Sequence, residues 1–162
     1  MYELLVVIAV MGILVAIVTS GWVEFHDKRR LGTAQNQIYQ ILRQAQFEAK
    51  RHHLHWQASF QNIGGQGQLA IHSVNTLPLD ADWIPLPDGV QIDVDETTLR
   101  QDNGFYEVQF NSRGHVNGQL GRVTVRVAGA SRLRRCVFVS TLIGGLREAS
   151  ENPTPQRGRY CY

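Results

Sequence analysis

The sequence predicts an α+β protein in which a long N-terminal helix packs on a C-terminal antiparallel β-sheet head. Two observations support this. Residues 1–54 contain no proline and carry apolar residues at helical spacing, whereas residues 55–162 alternate apolar and polar side chains with a period of two. With 162 residues, 43% hydrophobic side chains, a net charge of +2 and two cysteines, the chain is neither disordered nor a disulfide-dense miniprotein. We therefore expect two regions, 1–54 and 55–162.

The first part of the helix, residues 4–23, carries no charged side chain. At ~1.5 Å per residue it would extend ~30 Å, which matches the hydrocarbon thickness of a bilayer. Trp22 would lie at the membrane interface, and charged residues begin at Glu24. No basic residue precedes the run, which is unlike a secretory signal peptide, and the run lacks the polar face of a core helix. We predict a membrane span over about 4–23.

Glu3 is an acidic residue at the edge of this apolar run. A carboxylate in lipid is costly unless it is paired, whereas the helix dipole favours it at a helix N-terminus. Two interpretations follow: Glu3 caps the helix at the membrane surface, or it pairs with a positive group on another chain.

Residues 24–54 predict an amphipathic continuation of the same helix. Apolar residues recur at steps of three and four, at Leu31, Ala34, Ile38, Ile41, Leu42, Ala45 and Ala49. The two parts would form a rod of roughly 50 residues and ~75 Å, with Gly32 as the position of an interruption. Because a lone apolar stripe is unstable in water, the head should cover it. His52, His53 and His55 have no cysteine or carboxylate cluster beside them, so we interpret them as a solvated helix end.

The head sequence predicts six strands joined by turns and loops. The strands are expected at 56–60, 69–74, 90–94, 105–110, 121–127 and 136–141. Residues 62–67 are rich in glycine and predict a turn, 77–89 contain three prolines and predict a loop, and 111–118 are rich in turn-forming residues. Successive strands at short spacing predict an antiparallel sheet.

Charge is unevenly distributed in the head. Residues 80–96 carry six acids and no base, whereas 103–162 carry nine arginines and three glutamates. Calcium at Asp80, Asp82 and Asp88 would not match the spacing of an EF-hand loop. The sequence contains no glycine-rich phosphate loop, no HExxH motif and no nucleophile elbow. We therefore expect no enzymatic activity, no metal site and no cofactor.

The two cysteines, Cys136 and Cys161, allow one disulfide bond or two free thiols. A bond between them would stabilise the fold by ~3.5 kcal/mol in the chain-entropy description, mainly by fixing an aperiodic tail. Such a bond requires an oxidising compartment, which favours a head outside the cytoplasm.

The N-terminal run Glu3-Leu-Leu-Val-Val-Ile-Ala-Val-Met-Gly-Ile-Leu-Val-Ala-Ile17 resembles the N-terminal helix of type IV pilins and type II secretion pseudopilins. The remaining layout is similar to that of GspH/FimT-type minor pilins and pseudopilins. It combines a long helix, a β head, the segment Arg134-Arg-Cys-Val-Phe-Val-Ser-Thr-Leu142 and a cysteine near the C-terminus.

This resemblance implies a single-pass subunit of the inner membrane with its head in the periplasm. Glu3, Leu4 and Leu5 would contribute to assembly into a type IV pilus or a type II secretion pseudopilus. The implied partners are other pilin or pseudopilin subunits, membrane lipid and an inner-membrane assembly platform. Lys28, Arg29 and Arg30 taken alone would instead retain the head in the cytoplasm; the expected disulfide favours the periplasmic orientation.

The resemblance also implies processing of the N-terminus. In this family a basic leader ending in glycine is removed and the new N-terminal residue is methylated. The family's glutamate at the fifth mature position corresponds to Glu3, so we expect the leader and the methylated residue to precede the printed sequence.

The C-terminal arginines suggest a second hypothesis, since some FimT-like minor pilins take part in DNA uptake through an arginine-bearing C-terminal region. The corresponding candidates are Arg132, Arg134, Arg135, Arg157 and Arg159. Several arginines on one surface would hold phosphates in a salt-dependent way. The alternative is a solvated basic face that balances the acidic segment.

Overall fold

The computed structural model describes residues 2–76, 80–129 and 132–162, and among these the side chains of 15–21 are left undescribed. One helix, α1, extends over Tyr2–His52. The strands of the described ranges are β1 (Trp56–Ile63), β2 (Gln66–Ser73), β3 (Ile84–Pro85), β4 (Val90–Ile92), β5 (Arg100–Asp102), β6 (Phe105–Phe110), β7 (Gly121–Val127), β8 (Arg134–Val139) and β9 (Leu146–Ser150). The predicted α+β class is confirmed.

The strands form two sheets, and neighbouring strands within each sheet pair in an antiparallel manner. The first sheet has the order β3-β2-β1-β6-β5 and the second has the order β4-β7-β8-β9. The segment 84–85, expected to belong to a loop, pairs with β2 as a two-residue edge strand. The predicted turn at 62–67 is confirmed: Gly64 and Gly65, with φ of 59° and 81°, connect β1 and β2 as a two-residue hairpin loop.

The predicted apolar stripe of α1 is buried against the head. All seven of its side chains, Leu31, Ala34, Ile38, Ile41, Leu42, Ala45 and Ala49, belong to the core. The helix continues through Gly32, so the expected interruption there is absent. It ends at His52, and His53 then adopts a left-handed backbone with φ of 54°.

The core lies between this stripe and the inner faces of both sheets. The helix contacts β1, β2 and β6 of the first sheet and β4, β7, β8 and β9 of the second. Two buried glutamines of α1 also bind head carbonyls: Gln35 Nε2 donates to Cys136 O and Ala149 O at 2.9 and 2.8 Å, and Gln46 Nε2 donates to Gly144 O at 2.8 Å. The helix therefore holds the two sheets together as well as filling the space between them.

The N-terminal part of α1 projects beyond the head. The described side chains of residues 2–30 are exposed, apart from a half-buried Asp27, and burial begins at Leu31. At ~1.5 Å per residue the projecting part is about 43 Å long. Within the described part of the chain, no helix combines the length and apolarity needed to cross a bilayer. Residues 15–21 of the predicted span 4–23 lie outside the described side chains.

Truncation of Ile38, which is 1% exposed, tests the packing of the stripe. We expect Ile38→Ala to lower the free energy of unfolding by about 2–5 kcal/mol, since it leaves a cavity between helix and sheets. Denaturant unfolding of the detergent-solubilised chain measures this change. The matched control is Gln40→Ala on the exposed side of the same helix, for which we expect less than about 0.5 kcal/mol. Equal effects would contradict the assigned burial.

Candidate functional site

The N-terminal end of α1 carries the predicted assembly residues Glu3, Leu4 and Leu5, and all three are exposed. Leu4 and Leu5 retain 67% and 64% of their accessible surface. None of the described side chains forms an ion pair or a hydrogen bond with Glu3. Its carboxylate is therefore available to a group outside the described part of this chain.

The described side chains along the projecting helix form a long apolar surface. The exposed large apolar residues are Leu4, Leu5, Val6, Val7, Ile8, Val10, Met11, Ile13, Leu14, Trp22, Val23 and Phe25. Apolar side chains surround the helix, so no single face marks a packing partner within the same chain. An apolar surface of this extent requires a cover of lipid or of other apolar helices.

The opposite end of the chain is fixed to the second sheet. Cys161 forms a disulfide bond with Cys136 of β8, and the two Cα atoms are 6.4 Å apart across a sequence separation of 25. Glu96 also binds this tail, because its carboxylate accepts hydrogen bonds from the backbone N–H groups of Tyr160 at 2.9 Å and Cys161 at 3.2 Å. Arg122 Nη1 donates to the carbonyl of Cys161 at 2.5 Å. Covalent and polar contacts thus converge on the same two tail residues.

Two buried acids and two arginines make up this group, which we call the tail clamp: Asp93, Glu96, Arg122 and Arg134. Arg134 Nε lies 2.7 Å from Asp93 Oδ2 and 3.4 Å from Glu96 Oε1. Arg122 Nε donates to the backbone carbonyl of Glu96 at 2.9 Å. The formal charges balance, as buried charges require.

The tail clamp also has an aromatic contact and a perturbed arginine. The guanidinium carbon of Arg134 lies 4.6 Å from the centroid of the Tyr160 ring, within cation–π range. Burial lowers the pKa of Arg122 and the nearby Arg159 lowers it further, whereas Glu96 and Asp93 raise it. Arginine nevertheless stays protonated in proteins, so Arg122 remains a cation inside the fold.

The structure separates the five arginines that were candidates for phosphate binding. The guanidinium of Arg134 is engaged by Asp93 and Glu96 and lies over the ring of Tyr160, which sets it apart from the exposed candidates. Arg135 is half-buried on β8, and Arg132 is exposed.

Arg157 and Arg159 are exposed on a tight turn just before the clamped residues. Gln156 pairs with Arg159 across this turn, while Arg157 and Gly158 take positive φ angles of 52° and 77°. The tail clamp therefore fixes the base of a turn that carries two of the candidate arginines.

The charge separation seen in the sequence is partly cancelled in the fold. Asp93 and Glu96 come from the acidic segment, and they bind Arg122 and Arg134 from the arginine-rich half. We did not predict Asp93, Glu96 or Arg122 as site residues. Arg122 lies at the start of a strand-forming run in the sequence. An arginine at such a position is ordinarily exposed, so the sequence did not indicate that Arg122 is buried.

Within the described ranges, no group of three or more His, Cys, Asp or Glu side chains is arranged to hold a metal ion. His52, one of the clustered histidines, lies 3.2 Å from Glu48 and stacks on Trp56 with ring centroids 5.7 Å apart. It therefore packs at the end of α1, beside the start of β1.

Two solved structures have a similar fold. One is the type IV minor pilin FimU of Pseudomonas aeruginosa, with 11% identity, a TM-score of 0.55 and coverage of 77% of this chain and 92% of that chain. The other is the minor pseudopilin EpsH from the Type 2 Secretion System of Vibrio cholerae, with 14% identity, a TM-score of 0.51 and coverage of 75% and 97%. Neither a family model nor a curated protein matches the sequence.

The chain therefore has a pilin-like fold, as its N-terminal sequence predicted. More particularly, both similar structures are minor subunits, one of a pilus and one of a secretion system. At these identities the likeness defines the fold and leaves the function to be argued from the residues of this chain.

Replacement of Glu96 tests the tail clamp. We expect Glu96→Gln to lower the free energy of unfolding by about 3 kcal/mol, because Arg122 and Arg134 would then share a single buried carboxylate. It should also speed hydrogen exchange at the amides of Tyr160 and Cys161, even with the disulfide intact. The control is Glu148→Gln, an exposed acid on β9. If exchange at the two amides is equal in both variants, Glu96 does not hold the tail.

Proposed function

We propose that this protein is a minor pilin or pseudopilin subunit that assembles into a type IV pilus or a type II secretion pseudopilus. The observation that carries the proposal is the projecting apolar part of α1, joined without a break to a helix that packs on a pilin-like head. The role is structural, and no catalytic step is assigned to any residue.

The apolar surface of α1 gives assembly a physical basis. Burial of apolar surface away from water is worth about 25 cal/mol per Å². Lipid tails and neighbouring apolar helices both provide that burial, so transfer from a bilayer to a helix bundle keeps the surface dry. Packing between neighbouring helices then decides which state is favoured. The subunit is accordingly proposed to be stored in the inner membrane and to move into the filament core.

Glu3 supplies selectivity in this proposal. An unpaired carboxylate at the edge of an apolar helix is unfavourable in lipid, and a positive group on a neighbouring chain relieves that cost. The terminal amine of a neighbouring subunit would supply the required charge. Pairing would therefore fix the register of adjacent helices, while Leu4 and Leu5 pack beside it.

The proposed location is the inner membrane, with a single span and the head in the periplasm. The disulfide between Cys136 and Cys161 supports a compartment in which such bonds persist. The proposed partners are other pilin or pseudopilin subunits, lipid and the inner-membrane assembly platform, which would extract the helix from the bilayer.

Substitution of Glu3 tests the assembly role. We expect Glu3→Ala to leave membrane insertion intact and to lower the fraction of subunit in sheared filaments by about tenfold, which corresponds to a loss of roughly 1.4 kcal/mol. Immunoblots of membrane and filament fractions measure both quantities. The control is Glu24→Gln, an exposed acid of the same helix that pairs with Lys28 at 2.6 Å. Normal incorporation of the Glu3 variant would remove the proposed role of this carboxylate.

DNA binding is a second candidate function, and the geometry of the C-terminal turn favours it. Arg157 and Arg159 are exposed on a turn whose base is held by the tail clamp, and Arg159 lies close enough to Arg122 to affect its pKa. Two exposed guanidinium groups on one turn suit phosphate oxygens, and such contacts weaken as salt rises. Arg132 is exposed as well. Arg134 is left out of this proposal.

A gel shift with the full chain in detergent tests this candidate at low and high salt. We expect the double variant Arg157→Gln/Arg159→Gln to bind DNA more weakly and to reduce the slope of log affinity against log salt by about 2, one for each lost phosphate contact. The control is Arg113→Gln, an exposed arginine between β6 and β7. Absence of a shift at low salt with the unmodified chain would reject DNA binding.

A further inference from the structure

We propose that a polar cleft on the outer face of the first sheet binds a small neutral sugar. The cleft has a volume of about 190 Å³. Its floor is formed by Gln57 of β1 with Glu107 and Gln109 of β6, and its walls include Thr76, Asn103 and Phe105. This inference concerns a surface that the proposed subunit role does not use.

The floor of the cleft is buried and polar, although it belongs to the sheet face that points away from the core. Ala58 and Phe60 of β1 are core residues, so the alternating residues Gln57 and Ser59 face outward. Gln57 and Glu107 are only 5% and 7% exposed. Buried polar side chains at the base of an outward-facing cleft are a feature of binding sites.

A hydrogen-bond network holds these side chains in place. Gln57 Nε2 lies 3.3 Å from Glu107 Oε2, and Gln109 Nε2 donates to Gln57 Oε1 at 3.4 Å and to Glu107 Oε1 at 3.2 Å. Beside Gln57 on the same face, Ser59 Oγ lies 3.0 Å from His72 Nε2, and His72 Nδ1 lies 3.0 Å from the carbonyl of Ser73. The floor is therefore preorganised, and a ligand need not order it.

The charge of the floor favours a neutral ligand. Glu107 is paired with Arg100, whose Nε lies 3.5 Å from Glu107 Oε1. Asp102 lines the cleft as well, but it is exposed at the rim, where water screens its charge. The remaining polar groups are amides and a hydroxyl, which donate and accept hydrogen bonds without net charge. Adjacent hydroxyls of a sugar both donate and accept, and they match such groups.

The walls supply the apolar contact that the C–H face of a sugar ring requires. Phe105 is half-buried at the side of the cleft and stacks on Trp83, with ring centroids 5.7 Å apart and planes inclined by 22°. The facing wall includes Val74. Asn103 stands in the two-residue turn between β5 and β6, where φ is 49° at Asn103 and 87° at Gly104. The tight turn fixes the position of this amide beside Phe105.

The location of the cleft is compatible with assembly. It opens on the face of the first sheet opposite to α1, whereas the apolar part of α1 must be covered by lipid or by other helices. Contacts made by the apolar part of the helix therefore do not themselves cover the cleft.

Saturation-transfer NMR on the full chain tests the proposal, with the methyl glycosides of glucose, galactose, mannose and N-acetylglucosamine as probes. The chain is kept in a phosphocholine detergent, because a glycoside detergent would compete. We expect at least one probe to receive saturation and to titrate with a millimolar Kd. Failure of all four probes would overturn the proposal, and so would displacement of a bound probe by methylammonium, since that marks a cation site.

Two matched variants then locate the binding. Gln109→Leu removes an amide from the floor and should weaken binding by about tenfold, the equivalent of roughly 1.4 kcal/mol. Gln61→Leu removes an amide from the same outer face of β1, outside the cleft, where Gln61 contacts Gln68; it should bind the probe as the unmodified chain does. Circular dichroism confirms that both variants are folded. Equal affinity in both variants would place the sugar elsewhere and overturn the proposal.

Discussion

The packing of seven apolar side chains of α1 on both sheets is the constraint on which the rest of the structure depends. Without this stripe, the two sheets would expose the inner faces that carry Phe60, Val108, Val123 and Val137. Because the inner faces pack on the helix, the outer face of each sheet can carry polar side chains. One carries the polar cleft and the other carries the tail clamp, so each sheet has an apolar side toward the helix and a polar side away from it.

The parts of the fold that could be predicted from sequence are those with enough residues to show a period. The stripe of α1 repeats over five helical turns, and all seven predicted positions are buried. β3, β5 and β9 were not predicted, because their sequences lack the alternation of apolar and polar residues that β4, a strand of similar length, shows at Val90 and Ile92. The division into two sheets depends on pairings between distant segments, which no local pattern records.

The candidate sites also differ in whether local sequence is enough to predict them. Glu3 is conspicuous because it stands beside an uncharged run, and local sequence is sufficient to find it. The tail clamp joins Asp93 to Arg134 and Glu96 to Arg122, pairs that are 41 and 26 residues apart. In sequence these residues belong to charge-rich segments that are ordinarily solvated. Only the fold distinguishes Arg134, which is enclosed by acids, from Arg157 and Arg159, which are not.

The continuity of α1 through Gly32 has a mechanical consequence. A tension applied to the projecting half travels along one unbroken helix into residues 31–49, which contact strands of both sheets at once. Such a force acts on the whole head in shear and cannot peel it apart strand by strand. A head anchored in this way would keep its shape under tension until the entire helix slides out.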